Sequence, residues 1–178
     1  MSIMFVKPED NIKHLGLQEG MKVADLGAGT GFYAKAISDK VGKIGKVYAV
    51  EVRKDMVKKL ESELKEQDIK NVECIWGDIE ILGGTKLSDE SMDAVVVSNV
   101  LFQANDRLGL IDEAKRILKK GGKLLVVDWK ESYEGLGPAP HHVVTEKVAE
   151  DLIVKRGFKL LERISSPYHH YGIIFKHE

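Results

Sequence analysis

"VADLGAGTGFYAKAI", residues 23–37, decides the fold. A short apolar run carries Asp25, glycines stand at 27, 29 and 31, and a helical pattern follows. Glycine has no Cβ, so it tolerates positive φ and lets another group approach the backbone closely. The stretch therefore reads as a strand, a ligand-binding turn and the start of a helix, with a merely tight connection as the plain alternative. Glu51 sharpens the reading. It stands near the end of KVYAVEV (46–52), some 20 residues past the last glycine, where a carboxylate can accept from ribose hydroxyls.

Working outward, further apolar runs occur at 71–77 (NVECIWG), 92–100 (MDAVVVSNV) and 123–129 (KLLVVDW). They are rich in Val, Ile and Leu and mostly lack polar alternation, as parallel strands covered on both faces do. Helical patterns lie between them. Residues 30–41 follow the glycine turn, and Met56, Leu60 and Leu64 mark one face of 54–67. Leu108, Ile111, Lys115 and Leu118 mark a stripe on 106–122, with Lys119 and Lys120 at its end and Gly121 as its cap. A helix over 145–157 opens on Thr145 and closes on Gly157, and a short helix precedes the first strand near 8–15. This alternation predicts an α/β, doubly wound sheet with right-handed crossovers. FKLLERI (158–164) and YGIIFKH (171–177) are too closely joined for a parallel crossover, so they should pair antiparallel. No repeat or second domain is evident, and residues 1–178 read as one domain.

Composition narrows the class. With 178 residues, 43% hydrophobic and 31% charged, the chain is of ordinary globular make-up. A net charge of −1 gives no strong nucleic-acid signal. The single cysteine, Cys74, rules out an internal disulfide and suggests a reducing, cytoplasmic setting. The start, MSIMFVKPED, does not read as a signal peptide, and no apolar run is long enough for a membrane span.

The spacing of the turn bears on its ligand. Dinucleotide folds use Gly-x-Gly-x-x-Gly, whose helix start receives a pyrophosphate. Here the spacing is Gly-x-Gly-x-Gly behind Asp25, a poor neighbour for phosphates and a good one for a cation. The third strand runs into Gly77-Asp78-Ile79, a carboxylate and an apolar side chain suited to an adenine amino group and ring. An NAD(P)-dependent oxidoreductase stays as an alternative that the spacing disfavours. A non-catalytic S-adenosylmethionine-binding module is another.

With "DLGAGTG", "VYAVEV", "GDIE" and "LKKGGKLLVVDW", the chain resembles the class I S-adenosylmethionine-dependent methyltransferases, in particular the small ubiquinone/menaquinone-biosynthesis-like ones, over residues 8–177. The resemblance implies a Rossmann-like seven-stranded sheet of order 3-2-1-4-5-7-6 with an antiparallel last strand. It implies S-adenosylmethionine as cofactor and a methyl acceptor as partner. Asp25 and Gly27 would hold the amino-acid end, Gly29 and Gly31 would allow close approach, and Ala28 and Val52 would lie alongside. Glu51 would take the ribose hydroxyls, Asp78 and Ile79 the adenine, and Asn99 would sit beside the methionine moiety.

The acceptor is harder to read, because methyl transfer from a sulfonium needs positioning more than a dedicated base. Ser98-Asn99-Val100-Leu101 lacks the Asn/Asp-Pro-Pro-aromatic run of amino-group methyltransferases, and one cysteine is too few for arsenite chemistry. Cys74 reads as a small apolar core residue. Asp128, near the end of the fifth strand, and His141, after a Gly-Pro loop, are the candidate catalytic residues. His142, His169 and His170 complete a set of four histidines, yet no ligand spacing emerges and no metal is expected. Trp129 and Tyr168 read as core or rim aromatics. No lid is inserted after the fourth strand, so the cover should come from residues 1–20, the 130–144 loop, or a second copy in a homodimer.

Overall fold

A computed structural model describes residues 7–133, 135–165 and 168–178. The apolar runs become seven strands: β1 (Lys22–Leu26), β2 (Lys46–Glu51), β3 (Val72–Trp76), β4 (Met92–Ser98), β5 (Leu118–Trp129), β6 (Phe158–Ile164) and β7 (His170–His177). They form one sheet of order β3-β2-β1-β4-β5-β7-β6. The first five run parallel, and β7 is antiparallel to both β5 and β6.

Alternation along the strands feeds two cores. On β4, Val95 and Val97 face one side with Leu110 and Ile111 of α4 (Arg107–Ile117) and Ala149 and Ile153 of α5 (Glu146–Lys155). Ala94 and Val96 face the other, with Ile12 of α1 (Pro8–Ile12), Ile37 of α2 (Phe32–Val41) and Leu60 of α3 (Lys54–Glu66). Each such fully buried aliphatic side chain contributes about 1.5–3 kcal/mol. Because β1 lies between β2 and β4, strand order reverses there. Ligands of doubly wound sheets bind at that point, at the strands' C-terminal ends.

The expected helix over 106–122 is too long. α4 ends at Ile117, and Leu118 is extended (φ −81°, ψ 129°) and paired with Met92. Burying Leu118 in the sheet replaces another helical turn. Register resumes only at Ala94–Lys123, so Lys119 to Gly122 bulge out, and Gly121 (φ +79°) serves the bulge rather than a helix cap. Lys119 reaches Asp93 at 2.6 Å. The buried stripe shifts as well, to Leu110, Ile111, Ala114 and Ile117, leaving Leu108 exposed. α5 starts where expected, with Thr145 Oγ1 accepting from the Val148 N–H at 3.4 Å. The β3–β4 connection, residues 77–91, contains no helix. None of the described helices is long and apolar enough to cross a membrane.

Candidate functional site

The glycine turn leaves the end of β1 and is bonded to its neighbour. Gly27 and Ala28 both donate to the Val50 carbonyl, at 2.9 and 3.0 Å, and Gly31 donates to Ala28 O at 2.8 Å. All three glycines have positive φ. Their surroundings differ. A Cβ on Gly27 would stand 2.6 Å from Val100 Cγ2, and one on Gly31 would collide with Leu60, so these two serve close packing. A Cβ on Gly29 would find nothing nearer than Gly27 O at 3.9 Å. That is the open face of the turn.

Acidic groups stand at the end of β2 and just past β3. Glu51, almost buried, accepts from the Gly29 N–H at 3.1 Å through Oε2 and from the Arg53 N–H at 2.9 Å through Oε1. A carboxylate offers about four acceptor sites, so two remain for hydroxyl donors. Asp78 Oδ1 accepts from the Glu80 N–H at 2.9 Å, leaving Oδ2 for another donor, and Ile79 is buried beside Gly27. Val52 is exposed next to Glu51.

Asp25 and Asn99 are the most informative. Both Asp25 Oδ2 and Asn99 Oδ1 are buried without any hydrogen-bond partner among the described residues. Buried polar atoms are nearly always paired, because leaving them bare costs free energy. Asn99 is held in left-handed conformation (φ +57°), with its N–H on Val127 O at 2.8 Å. Burial pushes the Asp25 carboxyl up to about 7; the Ala34 N–H opposes this and the Glu51 charge adds to it. Two idle acceptors at adjoining strand ends, one of them a carboxyl whose buried charge a cation would stabilise, suit an ammonium group. The residues present therefore fit the amino-acid end of S-adenosylmethionine.

A phenol belongs to the same region and has no counterpart in the sequence reading. Tyr33, in the first turn of α2, accepts from Asn11 Nδ2 at 2.7 Å and is hydrogen-bonded to Ser98. Burial raises its pKa, and the Asp25 charge contributes. Its one sequence signal is its place two residues past Gly31.

A methyltransferase-domain family profile matches residues 17–163, well over half of the chain. The chain belongs to the S-adenosylmethionine-dependent methyltransferases. It is similar to a demethylmenaquinone methyltransferase of Geobacillus sp., 29% identical over 120 residues, covering 67% of this chain and 50% of that protein. A ubiquinone/menaquinone biosynthesis C-methyltransferase of Shewanella sediminis is 30% identical over 156 residues, covering 87% of this chain and 56% of that protein. The chain thus spans about half the length of these curated relatives. A crystal structure of a SAM-dependent methyltransferase from Aquifex aeolicus superposes with a TM-score of 0.87 at 29% identity, covering 96% of this chain and 89% of that one.

The two residues expected to act on an acceptor, Asp128 and His141, lie at the end of β5 and on the loop that follows it. Asp128 is wholly buried at the end of β5, and both its oxygens are engaged, by the Trp129 N–H at 2.8 Å and the Phe102 N–H at 3.3 Å. Burial pushes its carboxyl up to about 6. It anchors the loop after β4 and presents no free oxygen to solvent. His141 is exposed on a 3-10 turn (Pro140–His142), its ring 4.1 Å from that of His142. His169 and His170 diverge. His169 bonds Glu131 at 2.8 Å and stacks on Tyr133, whereas His170 is buried against Trp129, where burial lowers its pKa to about 4. Among the described residues no three His, Cys, Asp or Glu side chains gather as a metal site would require.

Trp129 is gripped from two sides. His170 lies against it, and a Cβ on Gly137 would stand 2.6 Å from the indole. Tyr171 donates to Val144 O at 2.9 Å, tying down the far end of the 130–144 loop. Part of the expected cover, residues 1–6, and the middle of the last hairpin turn, 166–167, lie outside the described residues. Cys74 is half-buried on edge strand β3 rather than in the core. Burial first, then Glu61 and Glu73, pushes its thiol up to about 11 and keeps it protonated.

Proposed function

We propose that this domain transfers the methyl group of S-adenosylmethionine to an acceptor meeting it over the ends of β4 and β5. One observation carries the reading: among the described residues, Asp25 Oδ2 and Asn99 Oδ1 are buried without a hydrogen-bond partner, at the ends of β1 and β4. The cofactor would supply a methyl group on a sulfonium, whose carbon an in-line nucleophile bonds as the carbon–sulfur bond breaks and S-adenosylhomocysteine leaves. The domain's own residues supply position. Asp25 and Asn99 take the ammonium, with Gly27, Ala28 and Gly29 giving it room. Glu51 takes the ribose hydroxyls beside Val52. Asp78 and Ile79 take the adenine. Gly31 keeps α2 close to α3.

Asp128 acts as a positioning residue. Its carboxylate holds the Leu101–Phe102 backbone, and so the loop that carries Asn99. His141 faces the acceptor and takes its proton where the acceptor has one to lose. The exposed position of His141 on the 130–144 loop supports that role. The lone Cys74 supports a reducing, cytoplasmic setting, and the net charge of −1 supports a small-molecule or protein acceptor over nucleic acid. The open rim also leaves room for a second copy to close the site, which sedimentation with and without cofactor reads directly.

The test is a transfer assay with methyl-labelled cofactor against separate pools of metabolites, RNA and protein. The expected result is label in one pool, dependent on intact Asp25. Cofactor binding with no transfer to any pool would identify a binding module instead.

A further inference from the structure

Glu113 is an anomaly of the core. It stands on α4, its side chain has no exposure, and the sequence pattern gives no reason for a carboxylate there. Burying one is unfavourable unless it is fully paired. Glu113 is paired at every turn. Oε1 accepts from Thr85 N–H at 3.1 Å, Thr85 Oγ1 at 2.5 Å and Arg116 Nη2 at 2.7 Å. Oε2 accepts from Gly83 N–H at 2.7 Å and Arg116 Nε at 2.8 Å. Arg116 continues to Asp89 at 2.5 Å. Burial alone would raise the Glu113 pKa, but the Arg116, Thr85 and Gly83 donors outweigh it and hold the group at about 2. The carboxylate is thus permanently ionised at neutral pH.

The bonded backbone belongs to the helix-free 77–91 connection, which opens on Asp78 and Ile79. That connection folds back on itself. A Cβ on Gly77 would stand 2.5 Å from Gly84 O, and one on Gly84 would collide with Asp78 O. Gly83 and Thr85 flank Gly84, so the two residues that Glu113 grips bracket the backbone pressed against Asp78. With no helix in the connection to stiffen it, the hold comes from across the fold, through α4. Glu80 Oε2 adds a second tie by accepting from Asp106 N–H at 2.5 Å.

We propose that Glu113, with Thr85 and Arg116, is a positioning residue that sets the cofactor's purine preference by fixing Asp78 where it meets the adenine amino group. The inference rests on the cofactor reading above. Glutamine at 113 keeps the volume but places an NH2 where one oxygen now accepts, so donor faces donor whichever way the amide turns. Asp78 then loses its fixed position while Asp25, Glu51 and Asn99 keep theirs.

The experiment titrates S-adenosylhomocysteine, and its analogue with hydrogen in place of the adenine amino group, into wild type, Glu113→Gln and Thr85→Val. A hydrogen bond to a carboxylate makes wild type favour the amino compound by about tenfold or more. Glu113→Gln should cut that preference to about twofold, with the affinity for the analogue changed less than threefold. Thr85→Val, a smaller lesion that leaves the carboxylate in place, should give an intermediate preference and carries the test if Glu113→Gln does not fold. A preference unchanged in the folded variants, an equal loss for both ligands, or a wild type indifferent to the amino group overturns the inference. Wild type binding neither compound overturns the cofactor reading itself.

Discussion

The two halves of the sheet's C-terminal edge are built differently. Over β1, β2 and β3 the groups at the edge are backbone turns and buried or half-buried carboxylates, held by short bonds such as Gly27 N–H to Val50 O at 2.9 Å. Over β4, β5 and β7 the groups are aromatic rings and imidazoles on a long loop, with His141 and His142 exposed. Even the buried acid there, Asp128, is consumed by its own backbone neighbours. On the proposed function, the first half recognises one fixed ligand and the second shapes an acceptor site, since loops on a rigid scaffold are where variation is tolerated. Substitutions on the first half should therefore act on cofactor affinity, and those on the second on turnover.

Asp25→Asn should act most strongly. It removes the charge opposite the ammonium, so S-adenosylhomocysteine affinity at pH 8 should fall thirtyfold or more, within the range of charge-assisted hydrogen bonds. The same change relieves a burial penalty. Holding Asp25 ionised costs on the order of 4 kcal/mol, the equivalent of moving its carboxyl from 3.8 to about 7. Because the folded pKa is raised, that penalty is full above about pH 7 and is relieved as pH falls towards 4. The unliganded variant should thus melt above wild type at pH 8 and close to it at pH 5. Wild-type affinity should fall as pH drops below 7, as protons compete with the ligand, and level off above pH 8. Melting curves and calorimetry at the two pH values check both signs. A variant that melts lower and binds equally well would erase the contrast between the halves.

Glu51→Ala comes next. Removing the ribose acceptors should cost about tenfold in affinity. The Gly29 and Arg53 N–H groups also lose their partner, so melting should drop modestly while the strand-end position spares the core. Full affinity in a folded Glu51→Ala would show that the ribose is held elsewhere.

His141→Ala sharpens the comparison from the other side. Affinity for S-adenosylhomocysteine should stay within twofold, whereas transfer to the true acceptor should slow by about a hundredfold, the scale of lost general-base catalysis. Single-turnover transfer rates separate the two effects. Loss of cofactor affinity would place His141 with the first half.

Legibility in the sequence follows the same divide. The strand runs were readable because Val, Ile and Leu on doubly covered strands leave little alternation, and the glycine turn because its glycines and carboxylates lie within short stretches. The end of α4 was not. Lys119, Lys120 and Gly121 look like a helix terminus, and only pairing of Leu118 with Met92, distant in sequence, overrides them. Tyr33 with Asn11, and Glu113 with Thr85, were unreadable for the same reason: each joins residues more than twenty positions apart. On the acceptor side the sequence singled out Asp128 as an acid at a strand end. Which backbone groups occupy its oxygens depends on the loop after β4, which sequence spacing does not reveal.

The central claim is that the β1–β3 edge holds an adenosyl ligand bearing an ammonium group. Isothermal titration of the wild-type protein with S-adenosylhomocysteine, and separately with NADH, tests it most directly. The account predicts saturable one-to-one binding of the first and none of the second. Saturable binding of NADH with no heat from S-adenosylhomocysteine would contradict it.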